Sequence, residues 1–330
     1  MLLPVLVPAS EAAIERAAAL IRAGRLVAFP TETVYGLGAR ADDAAAVRAI
    51  FAAKGRPPGN PLIVHVADAK AAQALAAAWP EAAARLAAAF WPGPLTLVVQ
   101  RREGQGGIVA EATAGGPTAA LRVPAHPVTL ALLRAAGVPI AAPSANRSTA
   151  ISPTTAAHVV KSLGARVDLV LDGGPTGYGI ESSIVDVSRA PAVLLRHGAV
   201  PLAALAELAE IVDGGSRVVP EGARAAAPGA HARHYAPRAR VHLVPATAVR
   251  AEIEARRGRG RLAGALERAP ASVTEGPSEV LPDEPGGYAA GLYAALHRLE
   301  DAGCEEIVIA AAPDGAAWAA VRDRLRRASA

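Results

Sequence analysis

Polar side chains recur directly after short apolar segments in the first two hundred residues of this chain. The first such group is residues 30–38, which follow the apolar residues 26–29 and combine hydroxyls, the Glu32 carboxylate and two glycines. Ligands of open α/β sheets bind at the carboxyl ends of strands, so this segment is a candidate binding loop. An ordinary polar loop with a helix cap is the alternative that the segment alone leaves open.

Lys54 and Arg56 stand one residue apart in a loop rich in proline and glycine, residues 54–61. A lysine is a compact point charge and an arginine donates paired hydrogen bonds, so together they suit a triphosphate. The GxxxxGK[ST] pattern of a P-loop is absent. Taken alone, the pair also fits the C-terminus of a helix, where positive charge is favourable.

A third group begins with Arg122, at the end of a predicted strand. Ser144 and Asn146 follow another predicted strand, in the run Pro-Ser-Ala-Asn. Ser152 precedes a predicted helix, where it can serve as an N-cap or as part of an anion site. Residues 173–186 and 195–198 complete the set with turns that lead into or out of strands.

Histidine and cysteine give little support for a metal site. His65 lies within an apolar strand, where a histidine is more often a core residue than a ligand. His231 and His234 are three residues apart but have no carboxylate or thiol beside them. Cys304 is the only cysteine, which excludes a disulfide framework and a cysteine-based zinc site. We therefore predict no metal held by protein side chains alone.

The elements that must position these residues alternate between strand and helix. Strands are predicted at 26–29, 62–66, 95–99, 119–123, 139–142, 167–171, 183–187 and 193–195. Helices are predicted at 10–21, up to 53 from a cap at Asp42 or Asp43, on both sides of Pro80, and at 128–136, 154–163 and 202–212. This alternation predicts an open, twisted, mixed α/β sheet.

The length of 330 residues favours two domains. Residues 213–240 have the composition of a linker, but they are long for a connection, which indicates a functional segment. After them, strands at 241–244 and 307–310 alternate with helices at 249–257, 288–302 and beyond 316. This pattern predicts a small Rossmann-like α/β domain, although the glycine fingerprint of a dinucleotide site is missing.

Charge and hydropathy narrow the class of protein. Residues 1–200 contain 18 Lys and Arg against 13 Asp and Glu, whereas residues 201–330 contain 16 against 17. The first part is therefore the better candidate for binding a polyanion, although scattered surface arginines give the same count. No apolar run reaches the roughly 18 residues of a membrane helix, and the N-terminus does not fit a signal peptide. We predict a soluble, cytoplasmic protein without membrane contact.

Taken together, the motifs resemble the YrdC/Sua5 family in its long, two-domain form. The family signature K-x-R … S-x-N is matched by Lys54, Arg56, Ser144 and Asn146. The blocks 30–38, 91–96, 121–124 and 181–183 also match, and residues 234–237 with the trailing domain are typical of the long form. The resemblance implies a YrdC-like catalytic domain at 1–212, a linker at 213–240 folding over the active site, and a C-terminal domain at 241–330.

The resemblance also implies an activity. Members of the family make threonylcarbamoyl-AMP and pyrophosphate from L-threonine, bicarbonate or CO₂, and ATP, which makes them nucleotidyltransferases. A separate threonylcarbamoyl transferase complex then modifies the adenosine beside the anticodon of tRNA, giving N6-threonylcarbamoyladenosine (t6A). Mg²⁺ is expected to arrive with ATP, and no tightly held organic cofactor is expected.

Site residues follow from the same resemblance, and the catalytic pair is Lys54 and Arg56. The residues implied for L-threonine are Thr33, His65, Arg122, Ala142 (through its backbone) and Ser182. Those implied for ATP are Lys54, Arg56, Asn60, Thr118, Ser144, Asn146, Ser152, Arg196 and Tyr235.

Two departures and two alternatives accompany this interpretation. His197 stands where the family commonly has proline, and Thr149 stands where glycine is usual. One alternative is a double-stranded RNA or tRNA-binding module without catalysis, which would explain the basic charge but not the polar residues on several loops. The other is the carbamoyl-transfer protein of hydrogenase maturation, whose zinc fingers a single cysteine excludes.

Overall fold

The computed structural model describes residues 5–104, 107–215, 234–273 and 275–330. The chain divides into two compact units. Unit 1 comprises Met1–Ser148, Pro153–Gly177 and Glu181–His231, and unit 2 comprises Thr149–Ser152, Tyr178–Ile180 and Ala232–Ala330. The predicted boundaries at 212 and 240 stay a prediction, because much of the segment between them lies outside the described residues.

Unit 1 is built on one mixed sheet of eleven strands, as the sequence predicts. Parallel and antiparallel neighbours both occur, since β6 pairs with β4 in parallel and with β5 in the antiparallel sense. The spatial order is β1-β8-β2-β3-β7-β4-β6-β5-β9-β10-β11. The strands are β1 (Val5–Pro8), β2 (Val27–Phe29), β3 (Gly36–Arg40), β4 (Ile63–His65), β5 (Leu95–Gln100), β6 (Thr118–Arg122), β7 (Ile140–Ala141), β8 (Leu169–Asp172), β9 (Ser183–Asp186), β10 (Ala192–Arg196) and β11 (Ile211–Asp213).

The helices of unit 1 begin where short polar side chains can accept hydrogen bonds from free backbone N–H groups. Ser10, Asp43, Asp68 and Thr155 cap four of them in this way. The helix that begins at Ala156 is thus capped by Thr155 and not by Ser152. The helices are α1 (Glu11–Arg22), α2 (Ala44–Lys54), α3 (Ala69–Leu75), α4 (Glu81–Phe90), α5 (Pro127–Ala136), α6 (Ala156–Leu163) and α7 (Leu202–Ala206).

The predicted helix at 202–212 is wrong in its second half. Helix α7 ends at Ala206, and Ile211–Asp213 forms the edge strand β11 beside β10. Ile211 and Val212 are β-branched and favour strands, and the open edge of β10 offers them hydrogen-bond partners. Strands β1 and β3 were not predicted; β3 was missed because two of its five residues are glycine, which is depleted in strands.

The central strands of unit 1 present two faces of different character, because successive side chains in a strand point to opposite sides. One face carries Leu62, Val64, Leu97 and Leu121, which belong to the main hydrophobic core. The other face carries a small apolar cluster flanked by polar residues. This cluster consists of Ile63, Val98, Ala120 and Ile184.

Unit 2 contains a four-stranded parallel sheet with the order β12-β15-β13-β14. Parallel strands alternating with helices confirm the predicted Rossmann-like class, although strands β13 and β14 were not predicted. The elements are β12 (Arg240–Val244), α8 (Val249–Arg257), β13 (Ala263–Arg268), β14 (Ser278–Leu281), α9 (Pro285–Asp301), β15 (Glu306–Ala310) and α10 (Ala319–Ala328).

Candidate active site

Arg122, the last residue of β6, is buried and engaged by several protein groups. Its Nη2 donates to Glu32 Oε1 at 2.6 Å and to Thr33 Oγ1 at 3.0 Å, and its Nε donates to the Gly93 carbonyl at 3.3 Å. None of the residues that the structure describes accepts a hydrogen bond from Nη1. The guanidinium is therefore fixed in orientation and retains one nitrogen that can bind a carboxylate.

The loop between β2 and β3 holds Glu32 and Thr33 in place beside Arg122. Thr31 Oγ1 donates to the Val34 carbonyl at 2.6 Å and lies 2.8 Å from Thr33 Oγ1. Thr31 and Thr33 are both buried, with at most 2 % of their surface exposed. The hydroxyls of residues 30–38 thus shape the loop from within, which explains why the segment needs several of them.

Ser182 lies just before β9 in a second buried polar group. Its Oγ lies 2.8 Å from Thr96 Oγ1 and accepts a hydrogen bond from Arg196 Nη2 at 3.1 Å. Arg196 Nε also donates to the Ser182 carbonyl at 3.0 Å. Arg196, predicted to bind ATP, therefore lies with Ser182, predicted to bind threonine.

His65 ends β4 and is in register with Arg122 of β6. Burial and the positive charge of Arg122 lower the pKa of His65 to about 3, so its imidazole is neutral at physiological pH. Its Nδ1 is buried and, within the described part of the chain, has no hydrogen-bond partner. The Phe29 ring contacts the imidazole edge-on, with centroids 6.4 Å apart. A neutral ring with an unused nitrogen suits a ligand contact better than a satisfied core position.

Lys54 is the last residue of α2, and only 2 % of its surface is exposed. Its Nζ donates to the carbonyls of Ser144 and Asn146, so the helix end is tied to the loop that follows β7. Burial and the nearby charge of Arg56 lower the pKa of the Lys54 ammonium well below its usual value. The two halves of the K-x-R … S-x-N signature, ninety residues apart in sequence, therefore meet in space.

Arg56 and Asn60 contact each other in the loop between α2 and β4. Arg56 donates from Nε to the Asn60 carbonyl at 3.2 Å and from Nη2 to the Pro61 carbonyl at 2.9 Å. Asn60 is buried, and among the described residues its Oδ1 has no hydrogen-bond partner. Thr118 begins β6 on the same face as Arg122, about 13 Å away at 3.3 Å per residue.

The remaining predicted residues of unit 1 follow strand β7. The Ala142 N–H donates to the Ile63 carbonyl at 2.8 Å, which leaves the Ala142 carbonyl as the backbone group for a ligand. Ser144 forms a bridge with Gly36 of β3. Asn146 Nδ2 donates to the Arg147 carbonyl at 2.8 Å.

Sheet register shows at which end of the central strands these residues lie; the face that carries Ile63, Ala120 and Arg122 we call the polar face. β4 and β6 run parallel, so Asn60 before β4 lies level with the start of β6, near Thr118. β7 runs antiparallel to β4, so Ser144 and the Lys54 ammonium lie at this same end. The opposite end holds His65, Arg122, Ser182 and Arg196. Thr33 contacts Arg122 from the loop before β3, whose first residue, Gly36, pairs with Ser144. The apolar cluster of Ile63, Val98, Ala120 and Ile184 lies on the polar face between the two ends.

Two predicted ATP residues belong to unit 2 and are described there. The Ser152 carbonyl lies 3.2 Å from His297 Nε2. Tyr235 is buried, has a positive φ of 61°, and stacks on Tyr293 with centroids 5.7 Å apart, while Arg324 lies over its ring. Their contact with ATP stays a prediction.

Sequence reasoning did not assign a role to Glu32 or Thr96, which contact Arg122 and Ser182 directly. Both residues lie in blocks that were singled out, 30–38 and 91–96. The available signal was the carboxylate of Glu32 in a loop of hydroxyl residues. Its partner Arg122 is ninety residues away in sequence, so the ion pair could not be predicted.

Two absences hold for the described residues alone. Within them, no group of three or more His, Cys, Asp or Glu side chains is arranged to hold a metal ion. No helix in these ranges is long and apolar enough to cross a membrane.

Two family models match the chain. The family model Sua5_yciO_yrdC, described as "Telomere recombination", matches residues 19–198. The model Sua5_C, described as "Threonylcarbamoyl-AMP synthase, C-terminal domain", matches residues 202–330. These two models account for most of the chain.

Individual relatives are similar over nearly their whole length. The chain is 42 % identical to threonylcarbamoyl-AMP synthase of Pyrococcus abyssi, covering 95 % of this chain and 93 % of the relative. It is 38 % identical to the protein of the same name from Bacillus subtilis, covering 96 % and 92 %.

Solved structures show the same similarity. A crystal structure of Pyrococcus abyssi Sua5 complexed with L-threonine superposes with a TM-score of 0.89 at 39 % identity, covering 100 % of this chain and 97 % of the other. Escherichia coli YciO, with a TM-score of 0.51 and 22 % identity over 59 % of this chain and 94 % of the other, shares the fold alone. From its motifs and these matches, the chain belongs to the Sua5/YciO/YrdC family, in the long form that carries the Sua5 C-terminal domain.

Proposed function

We propose that this enzyme is a threonylcarbamoyl-AMP synthase that serves t6A modification of tRNA. The observation that carries the proposal is the pairing of two buried cations in unit 1: an arginine suited to a carboxylate at the end of β6, and Lys54, which is joined to Ser144 at the other end of the neighbouring strands. A product that joins an amino acid to a nucleotide requires two such subsites side by side.

The chemistry can proceed without a protein nucleophile. The ammonium of threonine and bicarbonate combine to a carbamate, with loss of one water and one proton. A carbamate oxygen then attacks the α-phosphorus of ATP, and the bond to pyrophosphate breaks. This step makes the enzyme a nucleotidyltransferase, in which the protein contributes positioning and charge neutralisation.

L-Threonine fits the end of the polar face that Arg122 defines. Nη1 of this arginine would bind the substrate carboxylate, while Thr33 and Ser182 offer hydroxyls within the same group. Neutral His65 would contribute its unpartnered nitrogen. The backbone carbonyl of Ala142 would be a further group for the ligand.

ATP fits the opposite end, where Lys54 and Arg56 supply positive charge. Asn60, with its unpartnered Oδ1, can accept a hydrogen bond from the nucleotide. Mg²⁺ bound to nucleotides usually keeps several waters and takes one or two carboxylates together with the phosphates. We therefore expect it to arrive with ATP and to depend mainly on the phosphates, which would supply charge neutralisation during pyrophosphate release.

The remaining partners follow from the product. Threonylcarbamoyl-AMP is a mixed anhydride of a carbamic and a phosphoric acid, which water hydrolyses. A transferase complex that accepts it promptly and delivers it to tRNA is therefore part of the proposal.

The decisive experiment measures pyrophosphate release with ATP, L-threonine and bicarbonate together, and with each one omitted. Release that requires all three is expected. If the protein binds double-stranded RNA but releases no pyrophosphate under any of these conditions, the RNA-binding alternative replaces this proposal.

Substitution of the predicted catalytic pair tests the ATP end of the site. We expect Lys54→Ala and Arg56→Ala each to lower pyrophosphate release by 100-fold or more, about 2.7 kcal/mol of transition-state stabilisation. Arg48→Ala is the matched control, because Arg48 pairs with Glu111 on the surface and is 61 % exposed. Full turnover in either variant of the pair would contradict the assignment of the phosphate site.

A further inference from the structure

Glu32 is a largely buried carboxylate that the chemistry above leaves unused. Its Oε1 accepts a hydrogen bond from Arg122 Nη2 at 2.6 Å, and its side chain is 11 % exposed. Its Oε2 is buried as well, and no group within the described residues donates a hydrogen bond to it. One oxygen of the carboxylate is thus engaged, and the other has lost water without gaining a partner.

An acceptor in this state is costly for the protein. A buried polar atom without a hydrogen bond carries its full desolvation penalty, which is larger for a charged group than for a neutral one. Such atoms are rare in folded proteins and need a reason. In a ligand site, the reason is a donor that the ligand itself supplies.

The charges around Glu32 indicate which donor. Arg122 and Glu32 present a positive and a negative group side by side, each with one unused position: Nη1 on the arginine and Oε2 on the glutamate. An α-amino acid carries the opposite pair, a carboxylate and an ammonium on the same carbon atom. The protein pair and the zwitterion are therefore complementary in sign.

We propose that Oε2 of Glu32 receives the α-ammonium of L-threonine while Nη1 of Arg122 receives its carboxylate. This inference rests on the proposed function, because it concerns the same amino-acid subsite. Its consequence is selectivity: the site recognises the amino group directly and places it at a fixed point before the carbamate forms. A hydroxy acid with the same carboxylate and hydroxyl satisfies Arg122 but leaves Glu32 without a partner.

Two other roles for Glu32 give different results and are tested together with this one. The carboxylate can serve only to hold Arg122 in position, in which case its removal weakens every carboxylate ligand equally. It can also compete with the substrate for Arg122, in which case its removal strengthens every carboxylate ligand.

The test compares two ligands by calorimetric titration: L-threonine and (R)-3-hydroxybutyrate, which is threonine without its amino group. The variant is Glu32→Gln, which keeps an oxygen for Arg122 and the size of the side chain but removes the charge. Glu111→Gln is the control, because Glu111 forms an ion pair with Arg48 on the surface.

We expect Glu32→Gln to weaken L-threonine binding about tenfold or more, as for a hydrogen bond between charged groups, and to change (R)-3-hydroxybutyrate binding by less than about twofold. A parallel loss for both ligands, or a gain for both, overturns the proposal and assigns one of the other two roles. Unchanged L-threonine binding overturns it as well. A wild-type protein that binds no L-threonine refutes the proposed function itself, so the two failures are distinguishable. Thermal denaturation of the variant verifies that it is folded.

Discussion

Gly198 follows β10 and passes closer to a neighbouring strand than any other residue type would allow. A Cβ atom at this position would lie 2.3 Å from both the Ser182 carbonyl carbon and the Ser183 nitrogen, and 2.5 Å from the Glu181 oxygen. All three are backbone atoms, which cannot rotate away as a side chain can. Gly198→Ala therefore forces one of the two segments to move.

The cost follows from that geometry. Overpacking a well-filled site typically costs about 1–3 kcal/mol, and a clash with backbone belongs at the upper end, so we expect about 3 kcal/mol. The displaced segment carries Ser182, whose Oγ contacts Thr96 and Arg196 at 2.8 and 3.1 Å. If displacement of Ser182 removes its proposed hydrogen bond to L-threonine, about 1 kcal/mol, binding would weaken roughly fivefold.

The assay pairs urea or thermal denaturation with titration of L-threonine. A loss of about 3 kcal/mol corresponds to a fall of roughly 6–12 °C in the midpoint for a domain of this size. Gly177→Ala is the matched control, because its Cβ would meet nothing closer than 3.9 Å. If Gly198→Ala lies within about 0.5 kcal/mol of the wild type, as surface substitutions do, the close approach of the two segments is refuted.

Two further predictions concern the loop and strand beside Arg122. In β3, a Cβ at Gly38 would lie 2.5 Å from the Phe29 ring and 2.7 Å from Ile140, whereas at Gly36 the nearest atom is 3.3 Å away. Chemical denaturation should therefore show that Gly38→Ala lowers the free energy of unfolding by about 1–3 kcal/mol, and that Gly36→Ala changes it by less than about 1 kcal/mol. Equal effects of the two substitutions would contradict the packing around Phe29. For His65, a pKa lowered to about 3 means that the unfolded state binds more protons between pH 3 and about 6.5, so stability falls as pH falls through this window, by up to about 1.4 kcal/mol per unit. His65→Gln should flatten this part of the curve of unfolding free energy against pH, and an unchanged slope would show that the imidazole is not buried as a neutral ring.

Strands with a continuous apolar run were predictable from the sequence, whereas the edges of the sheet were not. Residues 95–99 and 119–123 are apolar and match β5 and β6 within one residue. β11 was mistaken for the end of a helix, because three residues are too few to show a period and only the open edge of β10 makes them a strand. β3 contains two glycines whose purpose, room for the Phe29 ring, lies in another strand.

The residue types of the site were predictable, but their grouping was not. The signature of Lys54 and Ser144 indicated a shared site, and the structure adds the contact that joins them, from Nζ to a carbonyl. A carbonyl has no sequence signature, so the contact could not be read in advance. The contact of Arg122 with Glu32 depends in the same way on register across separate strands.

The surroundings of Lys54 are those expected of a site for a polyanion. An ammonium has three donors, and two of them are used on the carbonyls of Ser144 and Asn146, which carry no formal charge. Across the described ranges, no carboxylate lies within ion-pair distance of Nζ, and burial beside Arg56 lowers the lysine pKa. A buried cation without a counter-ion is unfavourable. A triphosphate would reverse this, because its negative charge raises the pKa of Lys54 and engages the third donor. We therefore expect the binding energy for a triphosphate at Lys54 to come from charge that the protein leaves uncompensated.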